Sequence, residues 1–161
     1  MKQLDIEKVT VDDLDTVFSI LLDAVQWLRQ KGLKAWDPSS LKKTLLLSIE
    51  ADEVYLAKLN QQPVGTITVQ WLDPALWGER PNDAGYIHKL AVLRAFAGEQ
   101  IGLNMLNWAE KMIKNHEKKY ARLDCDATNP IINQFYKTAG FHYVGMATRD
   151  ELQLSLYEKL L

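Results

Sequence analysis

A single cysteine, Cys125, in 161 residues excludes an intramolecular disulfide, so the fold has to be held by its apolar core. Five prolines and eight glycines are too few for a collagen-like or low-complexity chain, and they nowhere gather into a linker. No apolar run is long enough to cross a bilayer and no stretch has the pattern of a signal peptide, which predicts a cytoplasmic protein without a membrane partner. Neither sign of charge dominates. With 19 basic and 21 acidic residues the net charge is -2, which removes any sequence-wide attraction to nucleic acid and leaves small molecules as the expected partners. His116 and His142 have no ligand-type neighbours at metal-binding spacing, so no metal is expected. There is no internal repeat, and residues 1–161 are expected to form one domain.

The chain is organised around Tyr86 to Leu106. Tyr86 to Val92 has the length and hydrophobicity of a buried strand, and Gly102, Met105, Leu106, Ala109, Met112 and Ile113 recur at helical spacing. Ala97 and Gly98 lie between. A strand that turns through small residues into a helix N-terminus presents unpaired N–H groups and the positive end of a dipole, which suits a pyrophosphate. The same spacing also serves close packing of a helix on a sheet, so the pattern alone does not name a ligand.

The remaining elements follow from periodicity. Leu4 and Ile6 alternate with acidic residues as a first strand. Thr10 then caps a helix whose stripe runs Leu14, Val17, Phe18, Leu21, Val25 and Leu28 and ends near Gly32. A second helix, capped at Ser39 or Ser40, carries Leu41, Leu45 and Ile49. Val54 to Leu59 and Val64 to Trp71 read as a hairpin joined through Asn60, Gln61, Gln62 and Pro63, with an apolar face and a polar face bearing Thr66, Thr68 and Gln70. Asp73 to Gly85 reads as an irregular loop. In Ala121 to Asp126 the polar row Arg122, Asp124, Asp126 is unusual for a central strand and suggests an open cleft. Asn129 caps a helix with Pro130 at its first position and Gly140 at its end. Phe141 to Met146 and Leu152 to Tyr157 supply two last strands.

Two segments together resemble the GCN5-related N-acetyltransferases. One is the Leu90-Ala91-Val92 strand followed by a loop in which Ala97 stands where Arg or Gln is usual, Gln100 replaces the first glycine and Gly102 keeps the second. The other is the helix opened by Asn129 and closed by Tyr136, Gly140 and Phe141. The resemblance implies a mixed α/β fold: a mostly antiparallel sheet of six to seven strands with a splayed parallel pair at the cofactor site, flanked by about four helices. It implies acetyl-CoA as cofactor, held by backbone groups of Leu90, Ala91 and Val92, by Ala97, Gly98, Glu99, Gln100, Ile101, Gly102 and Leu103, and by Asn129 and Tyr136. Glu99 and Gln100 beside a polyanion count against tight binding, with Arg94 and Lys137 as compensating cations. Dimers are common among such proteins, and a homodimer is compatible with this reading.

The implied activity is direct acetyl transfer to a primary amine of a small molecule. Tyr136 matches the family tyrosine that protonates the departing thiolate, and an ordinary phenol, with pKa about 10, is protonated at neutral pH. His88 precedes Leu90 by two positions, as in arylalkylamine acetyltransferases, where HxLAVxRAF resembles His88 to Phe96, and an imidazole suits deprotonation of an ammonium. Trp36 and Trp77 are candidates for acceptor contact, along with Trp27 and Asp37, and Asp124 and Asp126 for attracting a cationic amine. The competing assignments stay open: Tyr136 and His88 as structural residues, Trp27 as core, Trp36 and Trp77 as packed anchors, the aspartates as exposed strand-end groups. Cys125 falls on the apolar alternation and is not needed as a nucleophile. The functional alternative is a non-catalytic acyl-CoA-binding sensor.

Overall fold

The periodic segments form the expected elements in the computed structural model, which describes residues 3–161. Strand β1 (Leu4–Lys8) leads through a 3-10 turn into helix α1 (Leu14–Gln30), whose buried face is Val17, Ile20, Leu21 and Val25. The entry is held by Asp13, which accepts from Thr10 N at 3.0 Å. Helix α2 (Pro38–Glu50) starts two or three residues earlier than capping at Ser39 or Ser40 would give. Asp37 is its cap, accepting from Ser39 N and Oγ, because Pro38 fits the first helical position and pushes the cap back.

Strands β2 (Val54–Leu59) and β3 (Gln62–Gln70) form an antiparallel hairpin. The connection is two residues long, not four: Asn60 and Gln61 both take positive φ, 51° and 70°, the conformation whose twist matches a hairpin, so Gln62 and Pro63 belong to the strand. The expected polar face of β3 is also revised. Val64 through Val69 are all buried, and Thr66 hides its hydroxyl by donating to Tyr55 O at 2.9 Å. Asp73 to Gly85 is not wholly irregular either. It contains the single-turn helix α3 (Pro74–Trp77) and the first residues of β4 (Ala84–Val92).

Helix α4 (Ile101–Asn115), β5 (Tyr120–Asp126), helix α5 (Pro130–Thr138), β6 (His142–Arg149) and β7 (Leu152–Leu160) complete the chain. The seven strands form one sheet in the order β1-β2-β3-β4-β5-β7-β6. Its parallel pair is β4 with β5, whereas β1/β2, β2/β3, β5/β7 and β6/β7 are antiparallel. The parallel ladder runs from Ala84↔Tyr120 to Ile87↔Leu123 and stops there, although β4 continues to Val92 and β5 to Asp126. Immediately after, Lys89 has φ 49°.

Contacts divide the chain into two compact units. One comprises the residues up to Thr68 with Lys89–Leu106, and its core joins Val17, Leu21, Val25, Leu41, Leu45 and Leu56 with Ala91. In this unit Gly65 brings strand and helix close, since a Cβ there would lie 2.8 Å from Met105 Sδ and 2.9 Å from Ala91 O. The other comprises Val69–His88 and Asn107–Leu161, with a core of Leu76, Trp77, Ala84, Tyr86, Leu154 and Leu156. Among the described residues no helix is long and apolar enough to cross a membrane.

Candidate active site

In the unit formed by Val69–His88 and Asn107–Leu161, a titratable group gathers around His88 on β4. Nε2 lies 3.4 Å from Asp73 Oδ2, and Nδ1 lies 3.6 Å from Asp124 Oδ1. All three side chains are largely shielded, at 15%, 8% and 13% exposure for His88, Asp73 and Asp124. Asp73 comes from the segment leading into α3 and Asp124 from the polar row of β5. Burial pushes the Asp73 carboxyl up, against the opposing pull of Arg149 and of the Leu76 N–H. The proton arithmetic of this arrangement is restrictive. If both carboxylates are ionised, each faces a donor only when the ring carries two protons, and if the ring is neutral one ring nitrogen faces a carboxylate as acceptor against acceptor. Ligand atoms of the three residues fall within 4.8 Å of one another.

Tyr136 lies on α5 in the same unit and is 6% exposed, ringed by Phe135, Phe141 and Tyr157 at centroid distances of 5.1, 6.0 and 6.2 Å. The Tyr-x-x-x-Gly-Phe spacing has a backbone reason. Gly140, at φ 97°, lets its N–H reach Lys137 O and that of Phe141 reach Tyr136 O, each at 3.0 Å. This closes the helix as a Schellman motif and places Phe141 against Tyr136. Burial raises the phenol's pKa, followed by the effects of Cys125 and Asp124, so the hydroxyl is fully protonated at neutral pH. Burial and the two flanking aspartates push Cys125 up to about 12, which leaves it a thiol and not a nucleophile.

Asn129 Oδ1 accepts from Ile131 N and Ile132 N, so its side chain is used as the helix cap. Asp126 Oδ1 accepts from Thr128 N and Oγ1, while its buried Oδ2 has no hydrogen-bond partner among the described residues. Arg122, the first of the polar row on β5, does not line a cleft. It is 3% exposed, donates to Glu158 at 2.7 Å and to Tyr86 Oη at 2.9 Å, and stacks near Trp77, Tyr86 and Tyr120. Trp77 is 5% exposed and belongs to that cluster, with Tyr86 edge-on at 5.9 Å, which is the packed-anchor arrangement.

The other unit holds the small-residue loop. Asn104 N makes the first i-4 bond of α4, to Gln100 O at 3.0 Å, so the N–H groups of Ile101, Gly102 and Leu103 precede the helical ladder. Gly98 has φ 82° and nothing within 4 Å of where a Cβ would stand, so the approach to its backbone is open. Gln100 takes φ 60°, which explains why a glycine suits the position. Gln100→Gly is therefore expected to gain about 0.5–1 kcal/mol and raise Tm by about 2 °C after allowing for the freer unfolded chain, which thermal unfolding checks. An unchanged or lower Tm would show that the left-handed turn carries no strain. Arg94 is engaged elsewhere: its guanidinium lies 3.8 Å from the Trp27 ring centroid and its N–H donates to Asp23 at 2.8 Å. Trp36 is half-buried against the α1–α2 core, and Asp37 is the α2 cap.

The structure thus brings His88, Asp124 and Tyr136 into one unit and adds Asp73, which sequence reading missed. Its signal was present but weak: an Asp before Pro74 reads as a turn or cap residue.

A sequence profile of the Acetyltransferase (GNAT) family matches residues 20–141. An "Uncharacterized N-acetyltransferase YesJ" of Bacillus subtilis is 31% identical over 159 residues, covering 92% of this chain and 85% of its own. Among solved structures, a GNAT-family acetyltransferase from Listeria monocytogenes is 26% identical with a TM-score of 0.81, over 98% of this chain and 95% of that one. The PaiA N-acetyltransferase of Thermoplasma acidophilum, solved in complex with coenzyme A, has the same fold at 19% identity, with a TM-score of 0.77 and 99% of both chains covered. The chain belongs to the acetyltransferase (GNAT) family and is an acetyl-CoA-dependent acetyltransferase.

Proposed function

We propose that the protein acetylates a primary amine of a small molecule by direct attack in a ternary complex. The observation that carries this reading is a shielded proton-holding group, His88 with Asp73 and Asp124, in the same unit as the protonated Tyr136. An amine reaches the cell mostly as an ammonium and must lose a proton before it attacks, and a departing thiolate needs a donor. A sensor that only binds acyl-CoA has no use for either. The family profile runs through both units, which supports reading 1–161 as one domain.

The open backbone at Gly98 and the free helix start at Gly102 and Leu103 fit a pyrophosphate, and Leu90–Val92 would hold the pantetheine arm. When bound, acetyl-CoA supplies the thioester carbonyl at which the C–N bond forms and from which the C–S bond breaks, its electron pair passing to sulfur. The group at His88 takes up the proton lost by the ammonium and later returns it to solvent. Tyr136 Oη donates to the sulfur and is reprotonated by the second proton, which the nitrogen sheds as the amide forms. A phenol raised above its ordinary value of about 10 is a weaker acid than a free thiol at about 8.5, so in water the transfer would run uphill by about 2 kcal/mol. The burial that raises the phenol also raises a thiol beside it, so burial of both groups adds little to that cost and the intrinsic difference of about 2 kcal/mol remains.

Asp124 and Asp126 would draw a cationic acceptor, and in the other unit Trp36, half-buried, is kept as an acceptor-contact candidate on the family resemblance alone. Trp77 and Asn129 are assigned to packing and capping. The small-molecule assignment rests on the carboxylates, which select charge in a shielded setting rather than an extended backbone. It is tested by thiol release from acetyl-CoA with cationic small amines set against peptides bearing free N-termini. Small amines are expected to turn over at least about tenfold faster in kcat/KM, a difference of about 1.4 kcal/mol. The reverse order would make the acceptor a protein terminus.

A further inference from the structure

We propose that Asp73 is a positioning residue for the transfer reaction: it holds the His88 ring from the side opposite Asp124 and keeps it ready to take up the proton that the amine loses. The inference rests on the acetyl-transfer reading and adds a residue to it. The geometry carries it. Asp73 Oδ2 and Asp124 Oδ1 face different ring nitrogens at 3.4 and 3.6 Å without closing a hydrogen bond to them, so each carboxylate acts on the ring as a close, shielded charge. A histidine held by one carboxylate keeps one tautomer; a histidine held by two is biased toward the doubly protonated ring, the state it enters when the amine is deprotonated.

The two carboxylates are not equivalent. Asp124 acts electrostatically on Tyr136 and Cys125, so it lies toward the thiol-side chemistry, whereas Asp73 feels Arg149 of β6 and a backbone N–H of α3. Among the groups that bear on the ring, Asp73 and Asp124 face it directly, with Arg149 acting on the first and Tyr136 and Cys125 near the second. In the step itself the ammonium loses one proton, the His88 group gains it, and the group's net charge rises by one. Removing the Asp73 charge makes the protonated ring less favourable, so His88 should release its proton at lower pH.

The test is an NMR titration of the histidine rings in the wild type and in Asp73→Asn, which is nearly isosteric and removes only the charge. There are three histidines, and His88→Gln identifies the His88 signal. The His88 midpoint is expected to fall by about 1 pH unit, as loss of a close opposite charge should cause. The acid limb of kcat/KM for the amine should move down by a similar amount, with KM for acetyl-CoA unchanged. Asp73→Ser, smaller and uncharged, is the second variant should Asn perturb folding. A folded variant whose His88 midpoint and acid limb both stay in place would overturn the role of Asp73 while leaving acetyl transfer intact. A shifted midpoint in a protein that acetylates no amine would support the action of Asp73 on the ring and refute the acetyl-transfer reading.

Discussion

Replacing Tyr136 by phenylalanine is expected to lower kcat by about 100- to 10,000-fold, the usual contribution of a general acid, with acetyl-CoA affinity nearly unchanged. The substitution removes one oxygen and leaves the ring, so the contacts with Phe135, Phe141 and Tyr157 survive. The helix end survives too, because the bonds that close it come from the Gly140 and Phe141 backbone. Burial holds the phenol protonated well into alkaline pH, so its loss matters across the whole neutral range and should appear as a lower plateau and not as a shifted limb. An interaction made chiefly as the thiolate forms lowers the rate constant, whereas a ground-state contact would show in binding. Single-turnover kinetics with a confirmed amine is the measurement. Wild-type rates in a folded variant would make Tyr136 a packing residue.

Gly102→Val is expected to weaken acetyl-CoA binding by about 10- to 100-fold, the loss of one charge-assisted hydrogen bond worth about 1.5–3 kcal/mol. Gly102 is the second residue of α4, before the first i-4 bond, where an N–H can serve a phosphate only if no side chain stands over it. Gly102 has helical backbone, so valine adopts it without φ strain and with better helix propensity, and thermal unfolding reads whether the added side chain is accommodated. Binding and stability are thereby separated. Calorimetric titration with acetyl-CoA reads the first, thermal unfolding the second. Unchanged affinity in the folded variant would place the pyrophosphate elsewhere.

Elements with a strong local code were legible in the sequence: the stripe of α1 and the cap and glycine stop of α5, whereas β7 formed as a strand but buries Ser155 and Tyr157 of its polar row along with Leu154 and Leu156. What escaped was set by non-local packing. Thr66 and Thr68 look like a solvent face because alternation is all a sequence displays, yet β3 is covered on both faces and Thr66 is satisfied by a carbonyl of β2. Arg122 reads as a polar strand residue, and only the fold supplies the Tyr86 and Glu158 that let it be buried. Pro38 and the Asn60-Gln61 pair carried information that pointed to the correct cap and turn. The site followed the same division. His88 and Tyr136 stand in motifs, whereas Asp73, 15 residues before His88 and 51 before Asp124 in sequence, could be found only by distance.

A proton acceptor at His88 and a proton donor at Tyr136 matter only if acetyl passes directly from the thioester to the amine, with no covalent acetyl-enzyme. Mass spectrometry of the protein with acetyl-CoA and an amine panel tests that direct transfer. The expected result is an acetylated amine formed in step with free coenzyme A, with the mass of the chain unchanged and Cys125 unmodified. Bound acetyl-CoA with no acetylated amine would identify a sensor, and an acetyl group on Cys125 that moves to the amine would contradict direct attack.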